Sequence, residues 1–151
     1  MATRAQIIAK AREFIGTPFQ HQARIKSKGV DCVGVVLCVG EELGVVCQDG
    51  RPLLGNQYTD YGMQPAGTRV LEICIERLVR KNIAEMKPGD IVCMRTPTDP
   101  THVGIITSYG GVLYIVHAYD SPSFKMCKEH ILDEKWRRRI VGVFEFPGTV
   151  D

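Results

Sequence analysis

Apolar positions along the chain follow two different periods. Through the first half they recur every three to four residues. Ile7, Ile8, Ala11, Phe14 and Ile15 form one stripe, and Val70, Leu71, Cys74, Ile75, Leu78 and Val79 form another. That spacing predicts amphipathic helices over residues 3–15 and 68–81. Thr3 suits the cap of the first, and Gly16-Thr17-Pro18 stops it. Between the two, Asp31 suits the cap of a helix that starts at Cys32, runs to about Leu43 and ends at Gly44. A polar, basic loop leads into it from Gln20 to Gly29, with Arg24, Lys26 and Lys28. An irregular stretch at 45–67 follows, punctuated by Gly50, Pro52, Gly55, Gly62, Pro65 and Gly67.

Beyond residue 87 the pattern changes to strands. Lys87-Pro88-Gly89-Asp90 reads as a turn before a strand at Ile91–Arg95. Further strands are predicted at 102–109, 112–119, 124–128 and 138–146, with a short helix near 130–136 that carries Trp136. Helices first and an antiparallel sheet after them predict an α+β fold. If Gly110-Gly111 form the centre of a tight hairpin, Tyr109 pairs with Val112 and paired positions sum to 221. His102 then faces Tyr119, and His117 faces Gly104. The two histidines become diagonal neighbours on one face, and Gly104 leaves open space opposite His117. A slip of one residue would place the two imidazoles on opposite faces.

Composition narrows the class. The length of 151 residues predicts one domain, 1–151, and 44% hydrophobic with 24% charged residues is ordinary for a soluble globular chain. A formal net charge of +2 gives no basis for nucleic-acid binding or attraction to an anionic membrane. No apolar run approaches the roughly 20 residues of a membrane span. The start, Met1-Ala2-Thr3-Arg4-Ala5-Gln6, leads into an amphipathic segment with no apolar core, so no secretory signal is predicted and synthesis in the cytoplasm is expected. The six cysteines, at 32, 38, 47, 74, 93 and 127, include no C-x-x-C pair. A zinc site is not expected, and five of the thiols read as buried groups in a reducing compartment.

Cys32 stands apart because of its surroundings. It opens a predicted helix, and two strand-borne imidazoles follow far downstream. A helix N-terminus and a nearby imidazole both favour a thiolate. Gly34 would let a substrate carbonyl approach, and backbone N–H groups of the first turn would serve as oxyanion donors. His102 takes the base and acid role, and His117 bonds its other ring nitrogen and sets the tautomer. Asp31 acts as a cap rather than a catalytic group. Arg24, Lys26 and Lys28 either meet substrate carboxylates or solvate their loop. Arg137-Arg138-Arg139 reads as the exposed lead-in to a strand, and His130, without a partner in this pattern, reads as a surface residue.

In order along the chain stand Gly16-Thr17-Pro18-Phe19, Asp31-Cys32-Val33-Gly34, Lys87-Pro88-Gly89-Asp90-Ile91, His102-Val103-Gly104-Ile105 and His117-Ala118. Trp136 and Ile140-Val141-Gly142-Val143-Phe144 close the series. Together these resemble the NlpC/P60 cysteine peptidases over nearly the whole chain. The spacing around Gln20-His21-Gln22 and Cys32 is most similar to the short versions encoded by tailed phages and phage-like particles.

The resemblance implies a papain-like core, with N-terminal helices packed on a small antiparallel sheet. It also implies cleavage of peptidoglycan stem peptides, commonly at the bond between γ-D-glutamate and a diamino acid. By position, Cys32 is the implied nucleophile, His102 the base and His117 the third polar residue. Phe19, His21, Asp31, Val33, Gly34 and Gly104 fall on the substrate side. Family members often carry Tyr where this chain has Phe19, which keeps the packing and loses a hydroxyl; His21 or a backbone N–H are the available substitutes. No metal or organic cofactor is implied. The implied partners are the stem peptide and tail-tip or hub proteins of a virion, with no nucleic acid and no membrane insertion. Two rivals remain open: a structural tail component with weak or lost catalysis, and a cytoplasmic amidase or acyltransferase of the same fold.

Overall fold

The computed structural model describes residues 1–53 and 67–151, so the predicted turn positions Gly55, Gly62 and Pro65 lie outside the described residues. The first helix, α1 (Arg4–Arg12), begins with a capping box. Thr3 Oγ1 accepts the Gln6 N–H at 3.1 Å, and Gln6 Oε1 accepts the Thr3 N–H at 2.9 Å. It ends earlier than the periodicity predicts, because the chain leaves to pair elsewhere. Gly16 N–H donates to Cys127 O, Cys127 N–H to Thr17 O, and Phe19 N–H to Lys125 O. The basic loop contains a small hairpin, β1 (Arg24–Ile25) with β2 (Gly29–Val30), which delivers the chain to α2 (Cys32–Glu42).

Helix α2 is the buried one: every residue from Val33 to Gly40 is inside. Gly40 is required by close packing, since a Cβ there would lie 2.3 Å from Leu53 and 2.8 Å from Phe146. Helix α3 (Arg69–Arg77) is shorter than the predicted 68–81. Residues Val79–Lys81 instead form strand β3, in which Val79 pairs with Glu145 and Lys81 with Val143. Strand pairing outweighs the helical period there.

The remaining strands are β4 (Ile91–Arg95), β5 (Pro100–Tyr109), β6 (Val112–Asp120), β7 (Lys125–Ile131) and β8 (Ile140–Glu145). A short α4 (Glu134–Arg137), capped by Asp133, precedes β8. The six-stranded sheet runs β3-β8-β4-β5-β6-β7, with neighbouring strands antiparallel, which gives the expected α+β architecture. Gly110 and Gly111 both take positive φ, as a two-residue hairpin requires, and β5 pairs with β6 in the expected register from Tyr109↔Val112 to Ile105↔Val116. The two faces bury different sets. Ile91, Cys93, Val103, Ile105, Val116, Ala118 and Phe144 join the helices in one core. Val92, Met94, Ile106, Ile115 and Val143 form the other, with Leu132 inside and Trp136 packed against it.

One buried charge ties these layers together. Asp90, at the turn before β4, accepts Arg4 Nη1 at 2.7 Å, Lys81 Nζ at 2.7 Å and the Lys87 N–H at 2.8 Å. It thereby joins α1, β3 and its own turn, while Ile106 N–H donates to its carbonyl. Removing one member of a buried ionic group leaves the others uncompensated, at a cost of about 3–5 kcal/mol. Asp90→Ala is therefore expected to lower the unfolding free energy by about that amount, read as the urea midpoint; a midpoint within error of wild type would refute this role.

Candidate active site

The loop ahead of Cys32 is organised by Asp31. Its Oδ1 accepts the Gly34 N–H at 2.7 Å, which caps α2, and also Arg24 Nη1 at 2.9 Å. Its Oδ2 accepts the Gln22 N–H at 2.8 Å. Both charged side chains are buried. Arg24 thus faces inward and anchors the hairpin to the helix start, while Lys26 bridges Glu13 and Glu42 at 2.7 and 2.8 Å. Neither stands as a free loop cation. Gly34 serves this packing as well: a Cβ there would sit 2.5 Å from the Ala23 carbonyl. The space on that side of Gly34 is filled by the hairpin.

Cys32 is partly buried at the head of α2, and the other five cysteines are fully buried. Burial, then the Asp31 charge, push its thiol up to about 12, opposed by the backbone N–H groups of Val103 and Val33. The predicted thiolate-favouring effect of the helix end is outweighed, first by burial of the sulfur and then by the carboxylate of Asp31, which caps the helix. The resting group is a neutral thiol lying against β5 at Val103, the residue after His102.

His102 and His117 come together as the hairpin register predicts. His102 Nε2 lies 2.6 Å from His117 Nδ1, with ring centroids 4.9 Å apart. They are 4% and 0% exposed. Burial, then the Arg139 charge, push His102 down to about 3; burial, then the contact with His102, hold His117 well below its ordinary value. Both imidazoles are neutral at pH 7. No hydrogen bond joins Cys32 to either ring among the described residues, and His102 Nδ1 carries none.

The space expected opposite His117 is occupied. A Cβ on Gly104 would lie 2.7 Å from Ile115 Cδ1 and 3.1 Å from His117 Cβ, so the glycine accommodates these two side chains. Phe19 is half-buried against the helical core, Val33 is buried in it, and His21 is half-buried in the loop before β1. His130, read from sequence as a surface residue, belongs to the cluster: His117 Nε2 lies 2.7 Å from His130 Nε2. The strand register explains why. His117 faces Lys128 on β7, so His130 is its diagonal neighbour, as His102 is across the other side. The β6–β7 connection through Ser121-Pro122-Ser123-Phe124 is not a two-residue turn, so no sequence signal set that register. Trp136 closes the cluster, 4.9 Å from His117 and 5.4 Å from His130 between ring centroids, with the Arg139 guanidinium 4.5 Å above its ring.

Two outcomes follow from these charge states. An imidazole titrates near 6.5 in an unfolded chain but near 3 at His102 in the fold. Between those values the unfolded chain takes up a proton that the folded one refuses. This contribution is fully present above about pH 6.5 and is lost as pH falls, at about 1.4 kcal/mol per pH unit for one such group. Urea midpoints measured from pH 7.5 to 4.5 should fall more steeply for wild type than for His102→Gln; equal slopes would contradict a neutral, buried His102. Separately, Asp31→Asn keeps a capping oxygen and removes the charge beside the sulfur. The rate of Cys32 alkylation by iodoacetamide should then inflect at lower pH than in wild type, and an unmoved inflection would assign the raised thiol to burial alone.

Solved structures share this architecture. The NlpC/P60 domain of the peptidoglycan hydrolase SagA is 22% identical, with a TM-score of 0.57 over 95% of this chain and 98% of that one. An NlpC/P60 family protein from Bacillus cereus is 14% identical, with a TM-score of 0.63 over 95% of this chain and 40% of that one. An N-acetylmuramoyl-L-alanine amidase from Bacteroides uniformis is 15% identical, with a TM-score of 0.56 over 93% and 96%. This chain therefore spans less than half the length of the Bacillus cereus protein and nearly all of the other two. By sequence, no family model and no curated protein matches. The fold is that of the NlpC/P60 domains.

Proposed function

We propose that the chain is a cysteine peptidase that hydrolyses peptidoglycan stem peptides near the γ-D-glutamyl–diamino acid bond. Cys32 is the nucleophile, His102 the base and His117 its orienter. The observation that carries this reading is the 2.6 Å bond from His102 Nε2 to His117 Nδ1. It occupies Nε2 of His102, so in this reading Nδ1 is the nitrogen that takes the proton of the thiol. A peptidoglycan hydrolase and an N-acetylmuramoyl-L-alanine amidase among the structural neighbours support the substrate class.

In the first half-reaction the Cys32 thiol gives its proton to His102 Nδ1 while sulfur attacks the amide carbon. The tetrahedral intermediate collapses to a thioester as Nδ1–H protonates the departing amine. Water then adds to the thioester with His102 as base, releasing the acid and restoring the thiol. Asp31 holds the Gly34 N–H, so oxyanion donation falls to the N–H groups of Cys32 and Val33. A neutral thiol and a neutral imidazole suit this scheme, because charge appears only as the carbonyl arrives.

A second reading, a structural tail component that keeps the fold without the reaction, is favoured by one observation: among the described residues no hydrogen bond joins Cys32 to His102 or His117. Digestion of diaminopimelate-type peptidoglycan, with fragments read by mass spectrometry, separates the two. Wild type should release cut stem peptides, Cys32→Ala none, and His102→Ala should be slower by about 10²–10⁴. No cleavage by folded wild type, together with Cys32 alkylation no faster than that of the buried thiols, would favour the structural role. Incorporation in a phage or phage-like tail is the accompanying proposal. Mass spectrometry of purified particles that lack this chain would overturn it.

A further inference from the structure

We infer that His130 is a positioning residue which, through the Ile131 carbonyl, sets the tautomer of all three imidazoles and leaves His102 Nδ1 as a bare lone pair. This inference rests on the proposed role of His102, but it is carried by hydrogen-bond polarity alone.

The deduction starts at the outer end. His130 Nδ1 lies 2.8 Å from the Ile131 carbonyl oxygen. A carbonyl only accepts, so His130 Nδ1 carries the proton. An imidazole with a single proton, held on Nδ1, has its lone pair on Nε2, so His130 Nε2 then accepts from His117 Nε2 across 2.7 Å. His117 is buried and neutral, so with its proton on Nε2 its Nδ1 is the acceptor. His102 Nε2, 2.6 Å away, must be the donor. A neutral His102 with its proton on Nε2 has none on Nδ1. One backbone acceptor on β7 thus dictates, through two side-chain bonds, which nitrogen of a β5 imidazole can take a proton. His117 alone could not do this, because an isolated pair of imidazoles is satisfied in either direction. The reverse polarity would put a proton on His102 Nδ1 and leave nothing there to accept one.

The surroundings keep the chain of bonds in line. Trp136 packs edge-on or tilted against all three rings, with centroids 6.2 Å from His102, 4.9 Å from His117 and 5.4 Å from His130. Tyr119 lies 5.2 Å from His102 and 5.8 Å from His117. These contacts restrict ring flips, which would exchange the nitrogen atoms. His130 itself is only half-buried, so it can be substituted without opening the core.

Nitrogen-15 NMR at about pH 8.5, some two units above an ordinary imidazole, reads the tautomers directly, in the whole protein and without any turnover. Wild type should show His102 protonated at Nε2 and unprotonated at Nδ1. His130→Gln, whose amide oxygen can stand where Nε2 stood, should keep that pattern. His130→Leu removes the acceptor and should yield a mixture of the two His102 tautomers. Stem-peptide cleavage should fall in kcat by about tenfold or more in His130→Leu with KM little changed, and recover in His130→Gln, since a wrong tautomer disables a base whose geometry is intact. A wild-type His102 protonated at Nδ1, or a His130→Leu spectrum identical to wild type, would overturn the inference. If wild type cleaves nothing, the proposed function fails while the spectra still decide the tautomer.

Discussion

The register of the β5–β6 hairpin is the constraint on which the rest of the structure depends. Gly110 and Gly111 adopt the positive φ values of a two-residue turn, and every pair from Tyr109↔Val112 to Ile105↔Val116 follows from it. Alternation then sends Val103 and Ile105 into the core beneath the helices and Ile106 into the opposite one. The same alternation carries His102 and His117 onto a common face, where they bond. A slip by one residue would drive imidazoles into the helical core and valine out of it, so hydrophobic burial and imidazole pairing select the same alignment.

Competing demands meet at Asp31. Its carboxylate caps α2, neutralises a buried Arg24 and holds the Gln22 amide, so the approach to Cys32 is rigidly built. Its charge also disfavours a thiolate one residue away. Positional accuracy is gained at the expense of resting reactivity, and the neutral imidazoles on the other side complete a site with little standing charge. In the proposed mechanism, proton transfer from sulfur to nitrogen creates charge only where a substrate is present to share it.

Much of this was legible in the residues, and the parts that were not have physical reasons. The caps at Thr3 and Asp31, the strand at Ile91–Arg95 and the Gly110-Gly111 hairpin are local features, set by side chains a few positions apart. The pairing of His102 with His117 could be deduced because a two-residue turn leaves no freedom in register. His130 could not, since its strand follows a longer connection. Strand β3 looked helical because Leu78 and Val79 continue the stripe of α3, and only the partnership with Glu145 and Val143 draws the chain out. The inward turn of Arg24 was equally invisible, for a basic loop gives no hint that one of its cations will be buried against an N-cap. Gly104 was visible as a gap, but not that Ile115 and His117 would fill it.

Strand β7 is the last of the sheet, and a terminal strand ordinarily presents a free row of amides and carbonyls to other chains. Here the segment from Gly16 to Phe19 lies along it and takes up the hydrogen bonds of Cys127 and Lys125. That segment continues through Val30, which bonds to Pro18 and Gln20, directly into Asp31 and Cys32. Growth of the sheet by edge-to-edge association on this side is thereby blocked by the chain's own backbone. The blocking segment is also the tether of the thiol, and the strand that it covers carries His130. Protection from strand addition and alignment of the two halves of the site are one and the same set of bonds.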